Sequence, residues 1–227
     1  AFIKELLLSM KTLNPLNDAL TEQYDQSYAV DWRFLIPIEV GSKILVVGNG
    51  ATEAALFFSK IGLQVDVCNY IDIVGREETL SFIQTHPNSV YDIIIIPDSS
   101  GFVAAQFVSF FQSIDKLLKK NSKVLVGFLN RLYPSQQKKN MRFTSTIQVI
   151  RKSLINFKQI KTFGCFPDLV IPEYIFPMDS ASVKFVLKHR YRYRFPKLLL
   201  SFITTPLLLP LLVHFLPAYY ILAVSEK

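Results

Sequence analysis

A short apolar run, Ile44 to Val47, ends on Gly48-Asn49-Gly50, and a segment with helical spacing then runs from Thr52 to Ile61 and stops at Gly62. Strand, glycine turn, helix is how α/β folds build a nucleotide pocket. The glycines let backbone approach a ligand closely, and the helix start supplies N–H groups and the positive end of its dipole. Val46 stands where such strands often carry an acid, and the third glycine of the usual fingerprint is absent. Asp98 ends a second apolar run, Tyr91 to Pro97, and so falls where open α/β sheets place ligands. Its competing role is an N-cap, because Asp98-Ser99-Ser100-Gly101 is good capping chemistry. Asn130, Arg131 and Tyr133 follow a third run and line the same rim, as substrate contacts or as ordinary loop polarity. Trp32 and Arg33 either fold over the pocket or anchor the core.

No catalytic constellation is present. There is no Ser-His-Asp order, no paired carboxylates, no phosphate loop and no HExxH. His86, His189 and His214 lack metal-ligand spacing. Cys68 and Cys165 form no CxxC pattern and read as buried free thiols in a reducing compartment.

The elements that must position these residues follow from hydrophobic period and turn signals. Helices are expected over 2–20, 52–61, 75–86, 102–119 and 143–157, the fourth stopped by Lys119-Lys120-Asn121. Strands are expected over 43–48, 64–69, 91–98, 123–129, 158–165 and 183–187, with a polar loop over 134–142. The run Tyr91-Asp92-Ile93-Ile94-Ile95-Ile96 has the continuous apolarity of a strand buried on both faces. Alternating strands and helices predict an α/β, Rossmann-like, doubly wound and mainly parallel sheet.

At 227 residues, half of them hydrophobic, the chain can bury a substantial core and is no disordered segment. It begins at Ala1 rather than Met and shows no signal peptide, which fits a piece of a longer protein. The net charge of +7 is local: residues 184–197 hold six cations and no acid, leaving +1 for the rest. From Leu198 to Ser225 there are 28 residues without Lys, Arg, Asp or Glu, interrupted by Pro206, Pro210 and Pro217. The basic-aromatic run Arg190–Lys197 has the composition to meet nucleic acid through phosphates and stacking. The uncharged stretch behind it favours anionic lipid headgroups instead. Three arrangements remain open for that stretch: a transmembrane span, a monotopic or interfacial element broken at the prolines, and burial against the protein or a partner. In the last, 219–224 becomes the final strand of the sheet. The chain thus divides into a domain over 1–190 and a basic-apolar C-terminal element over 191–227. The expected location is cytoplasmic, peripheral or monotopic at a membrane reached through 184–216.

The order of elements resembles class I S-adenosylmethionine-dependent methyltransferases over about residues 25–190. The matching pieces are Ile44-Leu45-Val46-Val47-Gly48-Asn49-Gly50-Ala51-Thr52, Val65-Asp66-Val67-Cys68-Asn69, Tyr91 to Asp98, and the helix-then-strand segment Phe111 to Val126. The stretch Phe166 to Asp179 is similar to one in bacterial methyltransferase-like domains of surface-glycan or natural-product pathways. The resemblance implies S-adenosylmethionine as cofactor, with Gly48, Asn49, Gly50, Asn69 and Asp98 shaping its site and Asn130 and Tyr133 facing the acceptor. In that family the glycine loop faces the methionine part, and an acid ending strand two binds the ribose hydroxyls. The equivalent position here is Asn69, with Asp66 and Asp72 as substitutes, and only 21 residues separate Asn69 from Tyr91, so the adenine side is shortened. The implied activity is methyl transfer to a membrane-proximal glycan or small metabolite. The alternative is a scaffold that has lost the cofactor and serves as a membrane-bound partner of another protein.

Overall fold

The computed structural model describes residues 31–48, 50–68, 91–99, 104–130, 150, 152–154, 156–169, 172–190, 205 and 216–226. Seven strands form one sheet: β1 (Lys43–Val47), β2 (Gln64–Cys68), β3 (Tyr91–Ile96), β4 (Leu118–Leu129), β5 (Phe157–Phe166), β6 (Tyr174–Pro177) and β7 (Ala218–Ser225). Their spatial order is β2-β1-β3-β4-β7-β5-β6. β2, β1, β3 and β4 are parallel neighbours. β7 is inserted antiparallel to both β4 and β5, and β6 closes the far edge as a hairpin with β5.

Alternation explains the two-sided core. Ile44, Val46, Ile93, Ile95, Leu125, Ala218 and Tyr220 face one side, with Ala51, Ala54, Ala55 and Phe58 of helix α1 (Ala51–Lys60). Leu45, Val47, Ile94, Ile96, Val124, Val126, Tyr219 and Ile221 face the other, with Phe110, Phe111, Ile114 and Leu117 of helix α2 (Ala104–Leu117). A strand covered on both faces reads as an unbroken apolar run, which is why β1, β3 and β4 stand out in the sequence. α2 ends at Leu117, two residues short of the expected end at Lys119, and Lys119-Lys120-Asn121 lie in the first half of β4. Asn121 takes a left-handed φ of 59°, and the β3–β4 register jumps between Tyr91 and Ile93.

One expectation is overturned. Residues 183–187 are not a strand but lie within helix α3 (Ser180–Arg190). Asp179 starts it: its carboxylate accepts from the Ser182 N–H at 2.9 Å and the Ser182 hydroxyl at 2.8 Å, and its carbonyl accepts from the Val183 N–H at 3.0 Å. The β-branched Val183 and Val186 suggested a strand. Their i, i+3 spacing instead puts both against Phe176 of β6. β6 itself was not expected.

The expected helices over 2–20 and 75–86, the polar loop over 134–142 and, apart from Thr205, residues 191–215 of the expected C-terminal element over 191–227 lie outside the described residues. Among the described residues no helix is long and apolar enough to cross a membrane.

Candidate functional site

The chain leaves β1, forms α1 on one face and continues to β2 on one side; β3 lies on β1's other side. That reversal makes a crevice outside the carboxyl ends of β1 and β3, the position at which open α/β sheets bind ligands. The Gly48 N–H bonds the Cys68 carbonyl at 3.0 Å, so the β1–β2 ladder runs to the last residue before the turn. The backbone then turns sharply: Gly48 has φ 95° and Gly50 φ 74°, both in the left-handed region. The Gly48 carbonyl accepts from Ala51 N–H at 3.2 Å, and the Gly50 carbonyl accepts from Ala54 N–H at 3.1 Å, starting α1. Gly50 is the N-cap and brings no side chain to the helix end. Among the described residues, a Cβ built on Gly50 would meet Pro97 Cβ, at 3.9 Å. The turn after β1 and the end of β3 are therefore adjacent. Asn49 lies outside the described residues.

At the end of β2, Asn69 and Asp72 also lie outside the described residues. Asp66 is described and is committed elsewhere. Its carboxylate accepts from the Tyr91 hydroxyl at 2.7 Å and pairs with Lys43 Nζ at 3.1 Å. Lys43 and Tyr91 are the first residues of their strands, so Asp66 is held at the amino end of the sheet, away from the crevice. It does not substitute for a ribose-binding acid.

The rim on the other side is built by β3, β4 and β7. Asp98 is half-buried directly after β3, and the next residue, Ser99, donates its N–H to the Gly127 carbonyl at 2.8 Å. Gly127 sits where no side chain fits: a Cβ there would lie 2.1 Å from the Pro97 carbonyl oxygen and 2.7 Å from the Tyr220 ring. Tyr220 is wholly buried and stacks on Trp32, with ring centroids 6.0 Å apart at 24°. Its hydroxyl donates to the Leu169 carbonyl at 3.3 Å. Burial pushes that hydroxyl's pKa up, and Cys165 and the carboxylates of Asp98, Asp31 and Asp168 push it further. It stays a protonated donor throughout the physiological range.

Trp32 takes the anchoring role. It opens a short 3-10 turn (Trp32–Leu35) capped by Asp31 and packs on the core beneath it. Arg33 is turned away from the crevice: Nε donates to both Asp31 carboxylate oxygens at 2.7 Å, and the guanidinium lies 3.9 Å over the Phe57 ring of α1.

Asn130 is buried at the end of β4. Its amide donates to the Leu216 carbonyl at 2.7 Å and to the Tyr219 hydroxyl at 3.3 Å, and its N–H donates to the Pro217 carbonyl at 2.8 Å. It clamps the chain entering β7 to the rim. Arg131 and Tyr133 lie outside the described residues. Gly127 and Tyr220 were not among the expected site residues. A glycine inside the apolar run Val124 to Leu129 was the available signal, because glycine within a strand often marks close backbone approach. Among the described residues no group of three His, Cys, Asp or Glu side chains could hold a metal ion.

No protein-family model matches the chain, and no curated protein matches it. Solved structures do. A SAM-dependent methyltransferase from Archaeoglobus fulgidus superposes with a TM-score of 0.55 at 13% identity, covering 85% of this chain and 90% of that one. A phosphoethanolamine N-methyltransferase from Haemonchus contortus, in complex with phosphomonomethylethanolamine and S-adenosylhomocysteine, superposes at 0.47 with 15% identity, over 86% of this chain and 51% of that longer one. The first of these shows that the chain has the class I methyltransferase fold.

Proposed function

We propose that this chain binds S-adenosylmethionine in the crevice between β1 and β3 and transfers its methyl group to a small acceptor. The observation that carries the reading is the Gly48–Gly50 turn: two left-handed glycines and an uncapped helix start beside Pro97, all at the point where strand order reverses. The backbone at Gly48 and Gly50, with Asn49, would receive the methionine end, whose carboxylate suits the helix dipole. Asn69 would meet the ribose through an amide rather than a carboxylate, and Asp98 would close the site from β3. When bound, the cofactor supplies an electrophilic methyl on a sulfonium, so the protein's task is in-line positioning and exclusion of water. The acceptor side lies toward β4 and β7, where Tyr133 would meet the acceptor and Asn130 would hold the rim in place. A glycan or metabolite presented at a membrane is the acceptor class that the basic-apolar C-terminal sequence favours.

A second reading is favoured by Asp66. With that carboxylate committed to Tyr91 and Lys43, no described acid ends β2, as expected of a scaffold that has lost its cofactor. Calorimetric titration with S-adenosylhomocysteine separates the two. The enzyme reading predicts micromolar binding that weakens at least about tenfold in Gly50→Val, where a β-branched side chain must adopt a left-handed φ beside the ligand. Absence of binding at millimolar ligand favours the scaffold.

A further inference from the structure

We propose that Tyr220, backed by Trp32, is a positioning residue of the crevice: its ring fixes where the end of β3 stands against the Gly48–Gly50 turn. The end of β3 needs such a support. Its continuous pairing with β4 stops at Ile96, beside Val126. Pro97 has no N–H to offer a ladder, and the Ser99 N–H reaches the Gly127 carbonyl, at 2.8 Å, only two residues later. Between these points the place of Pro97 is set by what packs on it. On one side it borders the glycine turn, 3.9 Å from the position of a Cβ at Gly50. On the other stands Gly127, the cross-strand partner of Tyr220. A Cβ there would lie 2.1 Å from the Pro97 carbonyl oxygen and 2.7 Å from a Tyr220 ring carbon. Ring and carbonyl thus converge on the place that a side chain at 127 would fill. The aromatic ring replaces the side chain its partner lacks.

The ring is itself held. Tyr220 is wholly buried, stacks on Trp32 with centroids 6.0 Å apart, and its hydroxyl donates to the Leu169 carbonyl at 3.3 Å. Trp32 is fixed in turn by its short 3-10 turn. The Asp31 carboxylate accepts from the Arg33 N–H at 2.9 Å and pairs with the Arg33 guanidinium, which lies 3.9 Å over the Phe57 ring of α1. One path of side chains therefore runs from α1 through Arg33, Trp32 and Tyr220 to Pro97. It ties the helix on one side of the crevice to the strand end on the other. Supporting shells of this kind hold binding groups in place, and their loss loosens a site without touching the ligand. Removing the ring leaves a cavity into which Pro97 can relax. The consequence for ligand binding rests on the methyltransferase reading, while the placement of Pro97 does not.

Amide hydrogen exchange of the full chain without ligand tests the placement. The Ser99 N–H reports the end of β3, and the Gly48 N–H, bonded to the Cys68 carbonyl at 3.0 Å, reports the turn after β1. Tyr220→Leu is expected to speed exchange at Ser99 about fivefold more than at Gly48. A role in overall stability alone would speed both equally. Tyr220→Phe keeps the ring and the stack, and is expected to hold Ser99 within about twofold of the unmodified chain. Trp32→Leu alters a half-buried residue outside the sheet, so it keeps the test decisive if Tyr220→Leu fails to fold. It is expected to speed Ser99 over Gly48 by about threefold. S-adenosylhomocysteine, titrated by calorimetry into the same samples, is expected to bind both Leu variants about tenfold more weakly and Tyr220→Phe within about twofold. Equal acceleration at Ser99 and Gly48, or none at Ser99, overturns the proposal. So does unweakened ligand binding in a Leu variant whose Ser99 has lost protection. If the unmodified chain binds no S-adenosylhomocysteine, the methyltransferase reading fails, and the exchange result alone decides the role of Tyr220.

Discussion

Gly127→Ala is the substitution whose consequence is worked most directly from the geometry. A Cβ there would stand 2.1 Å from the Pro97 carbonyl oxygen, 3.1 Å from the Pro97 carbonyl carbon and 2.7 Å from the Tyr220 ring. Ordinary carbon–oxygen contact begins about 1 Å further out, so something must move. The carbonyl is backbone at the end of β3, and the ring is wholly buried against Trp32, so neither yields cheaply. Overpacking of this kind costs about 3 kcal/mol. Displacing Pro97 also strains the Ser99 N–H to Gly127 carbonyl bond of 2.8 Å, worth about 1 kcal/mol. A total near 4 kcal/mol lowers the melting temperature by about 8–16 °C in a chain of this size. Urea denaturation followed by circular dichroism should show a lower midpoint with an unchanged slope. Gly62→Ala is the control: φ is +83° but none of the described residues lies within 4 Å of the new Cβ, so the left-handed penalty of about 1–2 kcal/mol is the cost expected. If Gly127→Ala proves less costly than Gly62→Ala, close packing of β3, β4 and β7 at the rim is refuted.

Asp179→Ala removes the cap of α3 and should cost about 1 kcal/mol in denaturation midpoint, while leaving S-adenosylhomocysteine binding unchanged. For Asp92, burial raises the carboxyl's pKa, but the Lys119 ammonium and the Lys43 backbone N–H outweigh it and hold it below the ordinary aspartate value. Its stabilisation is therefore complete above about pH 4 and is lost as pH falls through the depressed folded value. Asp92→Asn should cost about 0.5 kcal/mol at pH 7, the pair being partly solvent-screened, with the difference from the unmodified protein vanishing in the acid limb of a pH–stability curve. Cys165 is fully buried, donates to the Asp168 carbonyl at 2.9 Å, and has its thiol pKa pushed up by burial and by Asp168. Mass spectrometry should find it unalkylated by iodoacetamide at pH 8.5 in the native protein and alkylated after unfolding.

The parallel half of the fold was legible because its signals are local. β1, β3 and the second half of β4 are apolar runs buried on both faces, and the glycines after β1 mark a turn whose left-handed backbone leaves little alternative. The antiparallel half was less legible. Val183 and Val186 favoured a strand by residue type, while Asp179 and Ser182 started a helix through two side-chain hydrogen bonds. β6 is four residues long and partly exposed, and it exists because β5 offers it a pairing edge. The rim formed by β3, β4 and β7 was least legible. The meeting of Tyr220, Gly127 and Pro97 depends on strands far apart in sequence, and no local pattern encodes it. Asn130 was marked by its position after β4, but its three hydrogen bonds to Leu216, Pro217 and Tyr219 depend on where β7 inserts.

The central claim is that the crevice between β1 and β3 receives the S-adenosyl group. Titration of nitrogen-15-labelled protein with S-adenosylhomocysteine, followed by amide resonances, tests the claim at the residues themselves. Shifts concentrated at Gly48, Gly50, Ala51, Asp98 and Ser99, with Ser182 and Phe185 unmoved, are the predicted result. No shift at millimolar ligand, or shifts confined to the β6–α3 edge, would contradict it.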